Sequence, residues 1–274
     1  MSDSRQSNNP IRVSVHMPAY NHERYIAQAL DSALMQRTNF DFEIVIGEDC
    51  STDNTRAVAI EYAERYPQKI RLLAHDKNLG IWENDQAIIR ACRGEYIAWL
   101  ESDDYWSSAD KLQKQVDFLD RNTDCSACFH WARRLSDSAK PITWKNGPPD
   151  IKPFYSLDDL LENGHFIPSC TALFRSDLIR EPLDWTRHTP FLETTYFVRF
   201  ALSGKLGFLD EEMAVFRYHS EGIYGKATNA QNIQAAINAH LLVGQHFNLD
   251  GRESYQRGLA RMQHNLNREL LVAS

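Results

Sequence analysis

The 274-residue sequence predicts an α/β protein with a mostly parallel central sheet flanked by helices and a helical C-terminal segment. Two observations lead there. Short apolar runs alternate with helical-period segments through the first hundred residues, in the order βαβαβαβ, which builds a parallel sheet covered by helices. A hydrophobic content of 43% suffices for a substantial buried core.

The elements follow in order. Ile11 to Met17 reads as a strand in which Ile11, Val13, Val15 and Met17 alternate with Arg12, Ser14 and His16, so one face is expected to be less buried. Asn21 is expected to cap a helix carrying Ile26, Ala29, Leu30, Ala33 and Leu34 at helical spacing. Phe42 to Gly47 is the second strand. The capping groups of Ser51 to Thr55 lead into a helix with Val58, Tyr62, Ala63 and Tyr66. Ile70 to Ala74 is the third strand. A loop with Asn78 and Gly80 precedes a helix from Trp82 to Cys92. Arg93-Gly94-Glu95 stops it, and Tyr96 to Leu100 is the fourth strand.

The second half is less regular. Lys111 to Asp120 reads as a helix and Cys125 to Ala132 as a strand. Lys140 to Phe154 holds four of the ten prolines and reads as a loop. A short capped helix over Ser156 to Glu162, a strand over Ser169 to Phe174 and a helix over Phe191 to Leu202 follow. Two strands are expected at Lys205 to Asp210 and Met213 to His219. From Asn229 the chain predicts two helices broken near Asp250-Gly251.

Composition narrows the function classes. A formal charge of −7 gives no global attraction for nucleic acid or anionic lipid. Met1 to Arg12 is polar, with no apolar region of a secretory signal. No apolar run approaches the roughly 20 residues of a spanning helix. A cytoplasmic location is therefore expected. Five cysteines do not suggest a disulfide framework. Cys125 and Cys128 form one CxxC without a second ligand pair, so two buried strand side chains are expected rather than zinc.

Ligands of parallel sheets sit at the carboxyl ends of the strands. After the fourth strand stands Glu101-Ser102-Asp103-Asp104. Three acids in four residues repel one another unless a cation or donors compensate. Oxygen ligands suit Mg²⁺ or Mn²⁺. The alternative is a solvated acidic turn. Glu48-Asp49 follows the second strand in the same way and can either accept from a base or ribose hydroxyl or cap the next helix.

Five segments occur in one order: Val13 to Asn21 (VSVHMPAYN), Glu48 to Thr55 (EDCSTDNT), Asn78-Leu79-Gly80 with Asn84, Gly94-Glu95-Tyr96-Ile97, and Glu101-Ser102-Asp103-Asp104. Together they resemble the family 2 glycosyltransferases, an inverting group with the glycosyltransferase A fold, a Rossmann-like sheet. The resemblance extends more loosely to Phe216 to His219. It implies that Pro18, Ala19 and Tyr20 line a nucleobase pocket with Glu23 nearby. It implies that Asp49 binds the base and that Asn78 and Gly80 lie by the nucleotide. Asp103 is implied near the ribose and the metal, and Asp104 on the metal. Glu101 stands where the family often has Asp, and His219 is implied near the metal or diphosphate. Glu193, in the frame Glu193-Thr194-Thr195-Tyr196-Phe197-Val198-Arg199, is the implied catalytic base, with Glu in place of the family's Asp.

The resemblance thus implies a metal-dependent (Mn²⁺ or Mg²⁺) transferase moving a hexose-type sugar from a nucleotide-sugar, UDP-sugar first, to the hydroxyl of a carbohydrate or lipid-linked glycan. Surface polysaccharide or glycoconjugate synthesis is the implied setting. The alternative is a non-catalytic sugar- or nucleotide-binding scaffold of the same fold. The expected organisation is a flexible N-terminus at 1–10, a nucleotide-sugar half at 11–107, an acceptor half at 108–225 and a helical segment at 226–274. Tyr255, Leu259, Met262, Leu266 and Leu270 recur at near-helical spacing. That face is expected to pack on the domain, with a homodimer seam or peripheral contact at the inner membrane face as alternatives. Trp82, Tyr105 and Trp106 are candidates to stack on sugars, with core packing the expected fate of at least one.

Overall fold

The first four strands run β1 (Val13–Ala19), β2 (Phe42–Glu48), β3 (Ile70–Ala74) and β4 (Tyr96–Trp99), and all pair in parallel in the order β3-β2-β1-β4. Helices α1 (Ile26–Leu34), α2 (Thr55–Arg65) and α3 (Ile81–Ala91) connect them. The computed structural model describes residues 10–136, 145–164, 166–189 and 191–273. Residues 1–9 of the expected flexible N-terminus lie outside the described residues, as do 140–144 of the proline-rich loop.

Both faces of β1 are buried, against the expectation of one wetter face. Helices cover the sheet on both sides, so its polar residues need partners. Ser14 Oγ donates to Glu43 at 2.7 Å, and His16 Nε2 lies 3.0 Å from Asp85. Alternate residues of each strand feed separate cores. Phe42, Ile44 and Ile46 of β2 join Tyr96 and Ala98 of β4 in one. Val45 joins Ile97 and Trp99 in the other. That is the period-2 rule applied to a sheet buried twice. Asn21 does not cap α1, which begins five residues later without a side-chain cap. Asn21 instead takes a left-handed φ of 55°, and its Oδ1 accepts from Thr52 N at 2.8 Å, joining the loops after β1 and β2.

The chain continues through β5 (Tyr105–Trp106), α4 (Lys111–Arg121), β6 (Cys125–Ser136), β7 (Lys145–Asn146), β8 (Phe154–Tyr155), α5 (Leu157–Asn163), β9 (Leu173–Arg175), α6 (Leu192–Ser203), β10 (Lys205–Tyr218) and α7 (Ile223–Lys226). Among the described residues ten strands form one sheet. Its main path is β3-β2-β1-β4-β9-β6-β10-β5, with β7 on β6 and β8 on β10. The sheet continues across residue 107, where the sequence suggests a boundary between halves. The expected strand at Ser169 to Phe174 begins instead as a 3-10 turn, Ser169–Thr171, where Thr171 Oγ1 donates to the Pro168 carbonyl at 2.6 Å. The two strands expected at 205–210 and 213–219 are one strand. Its register against β6 shifts around Glu212, where the chain carries three consecutive acids. A bulge absorbs them without ending the ladder, and Glu212 pairs with Arg133 at 2.6 Å.

Ser156 caps α5 in a capping box with Asp159. The last helices, α8 (Asn229–Phe247) and α9 (Glu253–Ala273), break where the sequence predicts. They dock on the domain through Val243, Leu249 and Tyr255, which pack with Leu157 and Leu161 of α5 and Val198 of α6. Gly258 lets α9 approach α5 closely. A Cβ there would stand 1.9 Å from the Leu161 carbonyl oxygen. The five cysteines are free. Burial pushes the Cys125 thiol up to about 11 and Cys128 further, so neither is poised as a thiolate.

Lys111 is fully buried. Its Nζ donates to Gln115 Oε1 at 2.6 Å and lies 4.2 Å from the Trp106 ring centroid. Burial lowers its pKa to about 7, against weaker opposing effects of Cys128 and Cys170. Between that value and the ordinary 10.5 the unfolded chain holds a proton that the folded chain lacks. Stability contributed by this group therefore rises with pH through the window, and the penalty is complete below pH 7. Lys111→Met should raise unfolding stability at pH 6 by on the order of 3 kcal/mol, with a smaller gain at pH 9. Urea titrations of both proteins at the two pH values check this, and parallel pH profiles would refute it.

Candidate active site

Strand β9 is antiparallel to both β4 and β6, and β10 is parallel to β6. The carboxyl ends of β1, β2, β4, β6 and β10 therefore lie along one edge of the sheet. Ser102 N donates to the Pro18 carbonyl at 3.3 Å, and Asp49 N to the Ala19 carbonyl at 2.9 Å, so the loops after β1, β2 and β4 are tied together.

At the end of β4 the acids point to different partners. Asp103 Oδ2 lies 3.0 Å from His219 Nε2, at the end of β10, and 3.8 Å from His22 Nε2, in the loop after β1. Burial works against the Asp103 carboxylate. The His219 hydrogen bond and the His22 charge outweigh it and hold its pKa below the usual carboxylate range. His22 Nδ1 lies 2.7 Å from Ser102 Oγ. The neutral tautomer that donates Nδ1–H to Ser102 would leave the Nε2 lone pair for a cation held between His22 and Asp103. One ligand atom each from His22, Asp103 and His219 lies within 4.8 Å of the others. Two imidazoles and a carboxylate form a donor set that suits a divalent cation, and His22 and His219 gather around the carboxylate that stays charged.

Asp104 is turned away from this cluster. Its Oδ1 accepts from the Arg217 backbone N–H at 2.7 Å, which fixes β10 one residue before Tyr218. Its Oδ2 is buried without a hydrogen-bond partner. Burial, then the charges of Asp103 and Glu101, push its pKa well above the usual range. Glu101 Oε2 is likewise buried and unpartnered. Burial lifts the Glu101 carboxyl to about 7. A hydrogen bond from Ser169 opposes the shift, and the charges of Asp103 and Glu193 add to it. Glu193 stands in the first turn of α6, half-buried.

The expected nucleotide loop is built around Asp49, which is buried. Its Oδ1 accepts from Leu79 N at 2.6 Å and its Oδ2 from Gly80 N at 2.9 Å, while Asn78 Nδ2 donates to the Asp49 carbonyl at 3.0 Å. Gly80 takes a φ of 83°, open to glycine at no steric cost, and leads into α3. Both Asp49 oxygens therefore organise this loop. Glu23 accepts from the Asn54 backbone and side chain at 2.8 and 2.9 Å and serves the start of α2. Tyr20 is exposed beside buried Ala19 and is free to face a ligand. Trp82 and Trp106 are packed, with Trp82 Nε1 donating to Thr186 and Trp106 Nε1 to the Cys170 carbonyl, both at 2.9 Å. Tyr105 lies under the Arg217 guanidinium.

Two contributors carry weak sequence signals. His22 sits one residue beyond the VSVHMPAYN segment, in a loop already expected at the ligand edge. The other is the buried anchor of α6. Tyr196 OH donates to Asp85 Oδ2 at 2.7 Å and accepts from Gln86 at 2.8 Å, and Asp85 Oδ1 faces His16. This chain fixes the helix that carries Glu193 against α3 and β1.

The fold and this edge define a protein of the glycosyltransferase A class. The chain belongs to glycosyl transferase family 2, whose profile it matches over residues 14–181. It is 37% identical over 228 residues to the Mycobacterium tuberculosis uncharacterized protein Rv1520, a match covering 78% of this chain and 61% of that protein. The chain thus spans about three fifths of the length of that relative. Its fold is similar to that of Staphylococcus aureus TarS in complex with UDP-GlcNAc (TM-score 0.63, 18% identity, 85% of this chain and 67% of that one). It is equally similar to the mannosyltransferase PcManGT of Pyrobaculum calidifontis in complex with GDP-Man and Mn²⁺ (TM-score 0.63, 16% identity, 95% and 70%). Among the described residues no helix is long and apolar enough to cross a membrane.

Removing the Asp49 carboxylate leaves two half-buried backbone donors without their partners. Asp49→Ala should cost about 3 kcal/mol of stability in chemical denaturation, with Asp49→Asn closer to wild type. An unchanged midpoint for Asp49→Ala would show that the carboxylate does not hold the loop.

Proposed function

We propose that this protein is an inverting glycosyltransferase that moves a sugar from a nucleotide-diphosphate sugar, a UDP-sugar first, to an acceptor hydroxyl of a carbohydrate or lipid-linked glycan. The observation that carries the reading is the convergence of His22, Asp103 and His219 at the carboxyl edge of the sheet. Asp103, His22 and His219 would hold a divalent cation, Mn²⁺ or Mg²⁺. Asp104, assigned to the metal on resemblance, is read instead as the clamp that fixes β10 and so His219. Glu101 is not among the side chains whose ligand atoms converge, and it is read as a neighbour of the cluster rather than a ligand. When bound, the cation supplies positive charge where the nucleoside diphosphate departs.

The protein's own groups do the rest. The Asn78–Gly80 loop, shaped by Asp49, and the exposed ring of Tyr20 offer a wall and a face for the nucleobase and ribose. Glu193 takes the proton from the acceptor hydroxyl as its oxygen attacks the anomeric carbon opposite the leaving group. A single displacement of this kind inverts the configuration. The anchoring of α6 through Tyr196 matters because a misplacement of about 1 Å in such a base can cost roughly a hundredfold. UDP-GlcNAc in TarS and GDP-Man with Mn²⁺ in PcManGT support a nucleotide-sugar and a cation, each stated for that protein.

Calorimetric titration with UDP, GDP, CMP and dTDP, each with and without Mn²⁺, tests the donor side. One nucleotide should bind only with the metal. Asp103→Asn should abolish that dependence, and His22→Ala should weaken it about tenfold. Absence of metal-dependent binding to every nucleotide would favour the scaffold alternative. Glu193→Gln should lower kcat by ~10²–10⁴-fold while nucleotide affinity stays unchanged. Full turnover by that variant would remove Glu193 from the role of base.

A further inference from the structure

The acids at the end of β4 sit on a turn closed by Asp104 N, which donates to the Glu101 carbonyl at 3.0 Å. Arg217 of β10 touches this turn at two points. Its backbone N–H donates to Asp104 Oδ1 at 2.7 Å, and one arm of its guanidinium donates to the Asp103 carbonyl. The other arm donates to Gln28 Oε1 on α1. The guanidinium also lies over two rings, 5.0 Å from the centroid of Tyr25 and 4.7 Å from that of Tyr105. Arg217 is only 9% exposed. Taking a cation this far out of water is costly, and the partners it meets here are amide oxygens and ring faces.

We propose that Arg217 is the positioning residue of the cation site: its grip on the turn holds Asp104 against β10 and leaves Asp103 as the carboxylate that faces His22 and His219. The inference rests on the reading of those three residues as cation ligands. Peptide geometry is the first argument. The Asp103 carbonyl belongs to the planar peptide shared with Asp104, so a donor that fixes its plane constrains the chain where both side chains branch. Donor geometry is the second. A planar guanidinium presents its N–H groups in a rigid fork. Here the fork ties the turn to α1, while the backbone of the same residue ties it to β10. Position is the third. Two residues further along the chain, His219 Nε2 lies 3.0 Å from the carboxylate of the same Asp103. The Tyr25 ring beside the guanidinium also backs the cluster, with its centroid 5.1 Å from that of His219 and 6.4 Å from that of His22. One side chain thus couples the Asp103 carbonyl, the helix after β1 and the strand that leads to His219.

The test is electron paramagnetic resonance of Mn²⁺ with the full chain and no nucleotide. The signal of free Mn²⁺ gives the affinity, and spin-echo modulation from coordinated imidazole nitrogen reports whether the histidines hold the ion. Wild type should bind Mn²⁺ with that modulation. Arg217→Met should weaken binding about tenfold and diminish the modulation, because Asp103 is no longer held towards the imidazoles. Charge alone predicts the opposite sign, since removing a positive charge beside the site should tighten the binding of a cation. Gln28 is exposed, and Gln28→Ala, which changes no charge, should weaken Mn²⁺ binding by a smaller factor. If thermal melts show that Arg217→Met does not fold, Gln28→Ala decides instead, and wild-type affinity in it would overturn the proposal. Unchanged or tighter binding in a folded Arg217→Met protein, or weaker binding with the modulation intact, would overturn it as well while leaving the cation site standing. A wild type that binds no Mn²⁺, or binds it without imidazole modulation, would sink the cation site itself and leave Arg217 nothing to position.

Discussion

Three carboxyl groups crowd into four residues at the end of β4, Asp104 buried and Glu101 and Asp103 half-buried, and the surrounding architecture is arranged around that burden. Each answers it differently. Asp103 keeps its charge because two imidazoles approach it from the ends of separate segments. Asp104 is held by a backbone amide of β10. Glu101 favours its proton. Unpaired buried charge is among the least tolerable features of a folded chain. The parallel sheet solves the problem by delivering β1, β4 and β10 to the same edge, where donors from distant parts of the sequence converge. The two orphaned oxygens, on Glu101 and Asp104, mark where that compensation is incomplete.

A second polar chain lies deeper. His16, Asp85, Gln86 and Tyr196 link β1, α3 and α6 inside an apolar layer that includes Trp99 and Phe200. Buried hydrogen bonds with defined geometry tolerate fewer alternative packings than apolar contacts do. The helix bearing Glu193 is therefore fixed by direction as well as by volume. The C-terminal helices reinforce the same helix from the other side, through Val198 and Val243.

The first four strands and their helices were legible because their apolar runs are short, regular and separated by capping residues and glycines. Where expectation failed, a tertiary partner had overridden a local pattern. Ser14 and His16 look like solvent-facing residues, yet each finds a buried acid. Asn21 has the chemistry of a cap but closes a loop–loop contact. The acids at 210–212 look like a turn between two strands, yet a bulge and Arg133 carry the ladder through them. In the site, the motif positions identified the acidic edge but not the division of labour within it. Which of Asp103 and Asp104 meets the histidines depends on the turn at Glu101–Asp104, a backbone geometry that spacing does not encode. His22 was passed over because a lone histidine in a loop acquires meaning only when Asp103 and His219 arrive beside it.

Strand β10 spans the domain: its first residues pair with β8 at the outer edge, and its last present Arg217 and His219 to the cluster. Alternate residues of a strand face opposite ways. Gain or loss of one residue along its length would exchange the two orientations, sending the histidine inward or outward as a block. The bulge around Glu212 is the place where such a change can be absorbed, since the register there is already broken. Sequence drift can therefore lengthen or shorten this ribbon at the bulge, while the segment between it and His219 has its parity locked.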